Sequence, residues 1–479
     1  MNPDRRKFTQ LLSAGVLASK YSILHAENTH DWYQSIAQRA RQLSHQGPLH
    51  LLIPQGSGAS VQAGTDAFTN LTGIDCIIRE APVDEINVEL VLQAHSGDST
   101  VDVALPATFG LPALVEARAI MALDELAEKY EPSGFSDGYL YRKGDYYRDR
   151  LYGYQTDGDA YLLFYNKRML EDPAEQTAFE RLHGRPLGIA RTWQELDEMM
   201  AFFHRPEQQQ YGGCLFRNAA YLVWEWWARF HAKGFYPVQD DMTPNVNNTA
   251  GVEALEELIA ASQWQSPDAR TNGLFENWTD FAQDNAFCNI GWGGTQKHMM
   301  TLAGMRDNLV HSPLPGISGA EGTATGMGYF NWGWNFTVSA QSVRSELAYL
   351  LTLFCTSPHV STLAVRQPSG FFDPFRQSHY TDDVIQSVYG VSFLDAHRQS
   401  LANCIPDFYI SGQSSYLDAL RQQILATFNG EVDARRALDI CAQRWNHVTR
   451  RLGARKQSAQ WLALKSNYPE SLQALLRDS

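Results

Sequence analysis

Residues 152–170, YGYQTDGDAYLLFYNKRML, combine a predicted buried strand with two carboxylates at its mouth. The run from Ala160 to Tyr165 is apolar and aromatic, which is typical of a buried strand. Asp157 and Asp159 precede this strand on either side of a glycine, and Asn166 ends it before a short helix. Acidic groups beside tyrosines suit a polar, hydroxyl-rich ligand. A hairpin whose aspartates only cap turns is the alternative.

The chain before this segment alternates between strands and helices. Strands predicted at residues 49–53, 75–79 and 101–107 are separated by helices, and this spacing is typical of βαβ units in a mainly parallel sheet. A further helix with one apolar face precedes them at residues 31–44. After residue 170 the pattern is mostly helical, with strands predicted at residues 286–294 and 336–339. The sequence therefore predicts an α/β fold with a helical C-terminal part.

Composition and charge indicate the class of protein and exclude some partners. The chain has 479 residues, of which 44% are hydrophobic and 19% charged, so it is globular and long enough for two or three domains. Its formal charge is −14; the first 26 residues carry four basic and one acidic side chain, a net of +3, which leaves −17 for the remainder. This negative charge argues against nucleic acid or an anionic membrane as a partner.

Residues 1–26 resemble an export signal. Arg5 and Arg6 form a twin-arginine region, and the apolar run LLSAGVLA at residues 11–18 is too short to span a bilayer. Paired arginines before a phenylalanine resemble signals of the twin-arginine route, with cleavage expected after Ala26. A chance pair of arginines in a cytoplasmic protein is the alternative. We expect a soluble, periplasmic mature form without a lipid anchor.

No motif in the sequence indicates a metal or a cofactor. The six cysteines are scattered and form no CxxC or Cys/His ligand spacing, so most of them are expected to be small buried residues, although one or two disulfides are possible. The glycine-rich turn at residues 54–58 lacks the spacing of a phosphate-binding loop. We therefore expect no metal and no cofactor.

The order of these segments is similar to that of a known family. FTNLTGIDC at residues 68–76, HSGDSTVDVAL at 95–105 and ARAIMALDEL at 117–126 precede the central segment. TWQEL at 192–196, AFCNIGWGG at 286–294 and GWNFTVS at 333–339 follow it. In this order and spacing, over roughly residues 48–450, the chain resembles the family 1 extracellular solute-binding proteins of ABC importers, the class of maltodextrin-binding protein.

The resemblance implies two α/β lobes, each a mostly parallel sheet flanked by helices, joined by crossing segments that close on a ligand. It implies an N-terminal lobe of residues 45–158 and 312–375, and a C-terminal lobe of residues 159–311 and 376–479. The expected partners are a small molecule, most simply a carbohydrate, and the permease subunits of the transporter. A monomer in the periplasm is expected.

The resemblance also implies which positions face the ligand, to which the residues themselves add Arg376. The expected ligand-binding residues are Gln55, Gly56, Ser57, Thr108, Phe109, Asp157, Asp159, Trp292, Gly293, Trp332, Trp334 and Arg376. Trp332 stands where the family often has glycine, so a differently shaped pocket and a ligand other than maltodextrin are expected. Arg376 could clamp the ligand or pair with Asp373 at the surface.

Other functions stay open at this point. An indole face suits the C–H face of a sugar, whereas core packing is the alternative for Trp292 and Trp334 and the preferred interpretation of Trp224, Trp226 and Trp227. An acidic, aromatic cleft would suit a polyamine equally well, and a sensory ectoprotein would have the same fold. A secreted glycoside hydrolase is disfavoured because the two aspartates lie too close along one chain to flank a bond. No catalytic residue is expected.

Overall fold

The computed structural model describes residues 32–82, 85–318, 324–330 and 333–478. The predicted export signal lies outside them, as does Trp332. Two sheets dominate the fold, one of five strands and one of four. Helices cover both sheets, so the chain forms the two α/β lobes that the sequence predicts.

The strands are short and are numbered in chain order. They are β1 (Leu49–Pro54), β2 (Cys76–Ala81), β3 (Val103–Ala104), β4 (Tyr146–Tyr147), β5 (Arg150–Leu151), β6 (Gly153–Gln155), β7 (Leu162–Asn166), β8 (Tyr211–Gly213), β9 (Ala286–Gly291), β10 (Leu309–Pro313), β11 (Ile317–Ser318), β12 (Ala324–Thr325), β13 (Gly328–Phe330), β14 (Asn335–Val338) and β15 (Cys404–Pro406).

The helices follow the same numbering, with α1 at residues 32–42. The others are α2 (Gly58–Thr72), α3 (Ile86–Ser96), α4 (Leu111–Glu116), α5 (Asp124–Tyr130), α6 (Lys167–Leu170), α7 (Pro173–His183), α8 (Trp193–Phe203), α9 (Leu222–Ala232), α10 (Thr249–Ala261), α11 (Leu274–Phe281), α12 (Gly293–Met300), α13 (Ser345–Thr356), α14 (Pro358–Val365), α15 (Asp383–Tyr389), α16 (Val391–Ala402), α17 (Gln413–Phe428), α18 (Ala434–Leu452), α19 (Ala454–Lys465) and α20 (Glu470–Gln473).

The central segment folds as its sequence predicts. All five residues of β7 are buried, and the strand pairs with β9 on one side and β10 on the other. Such a strand has no face toward water, which is why its sequence is continuously apolar rather than alternating. The side chain of Asn166 accepts a hydrogen bond from the backbone N–H of Met169, so it ends the strand and caps α6.

The two sheets are mixed rather than mostly parallel, which corrects one detail of the prediction. In the first sheet, β1 pairs in parallel with β2 and β3, but β14 is antiparallel to both β3 and β6. In the second sheet, β7 is antiparallel to β9 and β10, and β8 alone pairs in parallel. The reversals occur where the chain enters a sheet from the other lobe, so no crossover helix sets the strand direction.

Both lobes are assembled from separate stretches of chain. The first sheet uses residues 49–155 and then 335–338, whereas the second uses residues 162–313. Helices α13 and α14 pack on α2 of the first lobe, and α16 packs on β10 of the second. The boundaries given above for the two lobes stay a prediction. The predicted N-terminal helix is present as α1, and it buries Ile36, Ala37 and Ala40.

Two further findings concern the helices and the cysteines. Within the described ranges, no single helix is long and apolar enough to cross a membrane; α13 and α14 reach that length and composition only as a pair bent by 67°. All six cysteines are free thiols, and five of them are buried. They therefore act as small core residues, as expected.

Candidate functional site

A cavity of about 560 Å³ lies between the two lobes. The first lobe contributes Asn87 from α3, Phe109 from the loop after β3, and Trp334 beside β14. The second lobe contributes residues of α9, α11 and α17 and the turn between β9 and α12. The volume is that of a small-molecule site, and the position is where two-lobed proteins enclose ligands.

Aromatic side chains form much of the cavity wall. Trp292 is 7% exposed and lies at the centre of this wall. Its ring centroid is 4.4 Å from that of Tyr161, 5.9 Å from that of Tyr221 and 6.3 Å from that of Trp224. Its Nε1 is buried and has no hydrogen-bond partner among the described residues. The wall thus combines flat apolar ring faces with the indole N–H of Trp292, a donor without an acceptor among the described residues.

Three aspartates meet beside this wall and form what we call the carboxylate cluster: Asp157, Asp159 and Asp373. One oxygen of each lies within 4.8 Å of the others. Oδ1 of Asp157 accepts a hydrogen bond from the backbone N–H of Asp373 at 2.7 Å. Asp373 accepts from the backbone N–H of Gly293 at 2.8 Å and from the hydroxyl of Tyr389 at 2.8 Å. The cluster is therefore built into the crossing between lobes.

A buried lysine offsets part of the charge of the carboxylate cluster. Lys297 is 2% exposed, and its Nζ donates to the carbonyl oxygens of Gly370 and Phe372, each at 3.0 Å. Burial lowers the pKa of Lys297 to about 8, against the opposing attraction of Asp373 and Asp157. The lysine holds the loop that carries Asp373 against α12.

The three carboxylates disfavour one another's ionisation. Burial, then the charges of Asp159 and Asp373, raise the pKa of Asp157 well above its usual range. Burial and the charge of Asp373 do the same for Asp159. Burial raises the pKa of Asp373 to about 6, although Lys297 opposes this. Three such oxygens could hold a hard metal ion or a cationic group of a ligand.

The segments that carry the carboxylate cluster touch at Gly158. A Cβ atom at this position would lie 2.0 Å from the carbonyl oxygen of Pro374, so only glycine fits. Nε2 of His397 donates to the carbonyl oxygen of Gly158 at 2.9 Å. Burial lowers the pKa of His397 to about 4, so this imidazole is neutral at physiological pH. The contact sets how closely the two crossing segments approach.

Among the described residues lining the cavity, four are aspartates and one is an arginine. Asp407 and Asp418 join Asp157 and Asp159, and Arg421 forms an ion pair with Asp418. Burial raises the pKa of Asp407 to about 6. The pairing of Arg421 with Asp418 leaves the other three aspartates of the lining without a cationic group in the lining.

Five of the predicted site residues line the cavity: Phe109, Asp157, Asp159, Trp292 and Trp334. The structure thus brings together residues up to 225 positions apart in the chain, from both lobes. Their contact with a ligand stays a prediction.

Five other predicted site residues lie near the cavity without lining it. Ser57 and Thr108 are buried, and their hydroxyls donate to the backbone carbonyls of Pro54 and Gly333. Gly56 leaves room for the ring of Phe371, which does line the cavity, while Gln55 is exposed. Gly293 donates its N–H to Asp373. Gly56 and Gly293 thus contact residues of the wall or of the carboxylate cluster.

Arg376 lies elsewhere in the fold, which corrects both interpretations of it. It is 1% exposed, and its guanidinium donates to the carbonyl oxygens of Phe135 at 3.1 Å and Thr356 at 2.8 Å. Its charge lies 3.8 Å from the ring centre of Tyr139. Arg376 therefore fastens buried loops of the first lobe. The charge that offsets Asp373 comes from Lys297 instead.

Several cavity residues are missed by the sequence prediction. Trp224 was expected in the core with Trp226 and Trp227, but it lines the cavity with Tyr221, whereas the other two are buried. Positions 221 and 224 share one side of α9, so helical spacing could have separated them from 226 and 227. Asp373 had no such signal, because its partner Asp157 is 216 residues away.

Comparison with known proteins places this geometry in a family. No curated protein matches the sequence. A ribitol-bound ABC transporter solute-binding protein from Agrobacterium radiobacter is 15% identical, with a TM-score of 0.71 over 84% of this chain and 98% of that one. A mannitol-bound counterpart from Agrobacterium vitis is 17% identical, with a TM-score of 0.67 over 85% and 99%. Maltose-bound MalE3 of T. maritima is 16% identical, with a TM-score of 0.67 over 84% and 99%.

These structures share the two-lobed fold with this chain. A sequence model of the bacterial extracellular solute-binding proteins matches residues 54–360, which include the second sheet, the first sheet apart from most of β1, and two members of the carboxylate cluster, Asp157 and Asp159. The chain belongs to the bacterial extracellular solute-binding protein family.

Proposed function

We propose that this protein is the periplasmic solute-binding component of an ABC importer and that it captures a sugar or sugar-like polyol between its lobes. The observation that carries the proposal is the interlobe cavity, in which tryptophans and carboxylates line one space. Ribitol, mannitol and maltose are bound by proteins of the same fold. A sensory ectoprotein that docks to a receptor would use the same site.

The aromatic and the carboxylate parts of the cavity wall match the apolar C–H face and the hydroxyl groups of a sugar. Trp292 and Trp334 offer flat faces for the C–H side of a ring, and Asp157 and Asp159 accept hydrogen bonds from hydroxyl groups. Hydrogen bonds to charged groups contribute about 1.5–3 kcal/mol each. Closure removes water from both kinds of contact, which strengthens them.

The crossing segments support a closing motion. The backbone N–H of Thr156 donates to Trp334, and that of Tyr161 donates to Tyr329, at 3.1 and 2.9 Å. Together with the contact of Gly158 and Pro374, these bonds hold the crossing segments against one another at one edge of the cavity. Rotation about this edge would bring the walls together on a ligand, as in other hinged binding proteins.

A panel of neutral sugars and polyols, including ribitol, mannitol and maltose, tests the proposal by thermal shift. A solute at about 100 times its Kd should add about 2.7 kcal/mol to the free energy of unfolding. Small-angle scattering should then show a smaller radius of gyration in the bound protein. Stabilisation without any change in the radius would contradict hinge closure, and no stabilisation by any panel member would contradict a neutral sugar ligand.

Export and assembly are also part of the proposal. The twin arginines and the short apolar run support delivery of the folded protein to the periplasm. We expect the exported protein to be a monomer. Replacing Arg5 and Arg6 with lysine should retain the protein in the cytoplasm, whereas unchanged delivery would contradict this route. Light scattering should give one chain's mass, 53.9 kDa less the signal.

A further inference from the structure

We propose that the solute carries an ammonium group, which binds at the carboxylate cluster between the aromatic walls of the cavity. This inference rests on the proposed function, because it takes the interlobe cavity as the solute site. It makes the solute an amine-bearing compound, which is an amino sugar or amino polyol if sugar capture holds and a polyamine if only the two-lobed capture holds. The shared chemistry has two sources, an amino sugar or amino polyol and a linear polyamine.

An unused acceptor in the cavity is the first observation. Asp157 is 1% exposed and lines the cavity, and its Oδ2 has no hydrogen-bond partner among the described residues. Its other oxygen already accepts the N–H of Asp373. A buried carboxylate oxygen without a donor is costly, so this atom needs a donor from a ligand. An alkylammonium supplies three donors and a compensating charge.

The distribution of charge is the second observation. Asp373 has Lys297 beside it, and Asp418 has Arg421. Asp157 and Asp159 face the cavity with one lysine shared among three carboxylates. A neutral polyol could accept or donate hydrogen bonds here, but it would leave the excess charge unbalanced. A cation removes the mutual repulsion of the cluster.

The aromatic wall favours an organic cation over a metal ion. Trp224, Trp292 and Trp334 line the same cavity as the carboxylates, and ring faces attract ammonium groups. A calcium ion would use six to eight oxygens and no ring face. Both oxygens of Asp373 already accept hydrogen bonds, from Gly293 and Tyr389, which reduces the oxygens left for a metal.

Proton release should accompany binding of the amine. Burial and mutual repulsion raise the pKa of each member of the carboxylate cluster. A bound cation favours the ionised carboxylates, so binding should lower these pKa values and release protons. The titratable groups that face the cluster are Lys297, Tyr161, Tyr380 and Tyr389. Burial lowers the pKa of Lys297 to about 8 and raises the pKa values of the three tyrosines well above their ordinary value. Affinity for an amine should therefore rise between pH 5 and pH 7.

Calorimetric titration with three matched pairs tests the inference: glucosamine with glucose, glucamine with sorbitol, and putrescine with butanediol. We expect at least one amine to bind at least tenfold more tightly than its hydroxyl counterpart, with proton release measured by comparing buffers of different ionisation enthalpy. The pair that responds distinguishes an amino sugar, an amino polyol and a linear polyamine.

Two variants test the carboxylates themselves. Asp157→Asn and Asp159→Asn should each weaken the binding of that amine at least tenfold. Asp395→Asn, an exposed change of the same charge on α16, is the matched control and should leave affinity unchanged.

The outcomes separate this inference from the proposed function. Equal binding of both members of each responding pair would overturn the ammonium site and leave sugar capture standing. Binding of none of the three amines would overturn the ammonium site, and failure of the panel of neutral sugars and polyols as well would overturn both. Calcium chloride is a further arm: tight calcium binding that Asp157→Asn abolishes, without any preference for an amine, would identify a metal site and overturn the inference.

Discussion

Replacing Lys297 with methionine should destabilise the ligand-free protein in a pH-dependent way. Methionine is similar in length but removes the two hydrogen bonds to the carbonyls of Gly370 and Phe372. It also removes the charge that lowers the pKa of both Asp157 and Asp373. Loss of the charge that compensates a buried carboxylate typically costs about 3–5 kcal/mol, and Lys297 compensates Asp373 in this way. We expect a loss of this size at pH 7.5.

The pH dependence follows from the pKa of Asp373. Its value in the folded protein is raised from 3.8 to about 6, so this group favours folding below pH 3.8 and loses that contribution as the pH rises through 6. Without Lys297 the folded-state pKa rises further. Each further unit costs about 1.4 kcal/mol above that pKa. At pH 5 Asp373 is mostly protonated in both proteins, so only the lost hydrogen bonds remain, about 1.5–3 kcal/mol.

Urea unfolding at pH 5 and pH 7.5 measures both losses. The double variant Lys297→Met with Asp373→Asn should recover part of the loss at pH 7.5, because no unbalanced charge then remains on residue 373. Lys465→Met, at a partly exposed lysine on α19, is the control and should show little pH dependence in this range. Two results would refute the electrostatic account of Lys297. One is an equal loss of unfolding free energy at the two pH values. The other is a loss in the double variant that equals the sum of the losses in Lys297→Met and Asp373→Asn.

Two further substitutions test the wall and the crossing. Trp292→Ala should weaken solute binding at least tenfold and lower the free energy of unfolding by about 3–5 kcal/mol. Trp226→Ala, in the core, should lower the free energy of unfolding without weakening binding. Calorimetric titration measures the affinity of each variant, and urea unfolding measures its stability. Gly158→Ala should cost about 1–3 kcal/mol because its Cβ would meet the Pro374 carbonyl oxygen at 2.0 Å. Gly188→Ala, with open space around its Cβ, is the control, and equal melting temperatures would contradict the close approach.

Local patterns were sufficient for much of the fold. The apolar run after Asp159 predicted β7, and Asn166 predicted the end of the strand, because burial and capping act over a few residues. A local contact of the same kind starts α8, where the side chain of Thr192 accepts the N–H of Glu195. Strand direction was less predictable, because it depends on where the chain re-enters a sheet. That choice is made by tertiary contacts.

The candidate site could be predicted only in part. The local sequence singled out Asp157, because it marks the end of a strand, whereas the family resemblance supplied Trp292. Asp373 and Lys297 were not, since a charged residue in a loop or a helix is usually at the surface. Arg376 shows the converse: the sequence placed a guanidinium in an aromatic loop, but burial and backbone carbonyls decided its role.

The position of β14 has a consequence for folding during synthesis. This strand lies between β3 and β6, yet it follows β6 by 180 residues, from Gln155 to Asn335. At about 5–20 residues per second, the ribosome needs roughly 10–40 s to supply it. During that interval the nascent first sheet has two unpaired edges, which are sites for aggregation or for chaperone binding. A chaperone that holds the nascent chain until residue 338 emerges would therefore raise its yield more than one acting later.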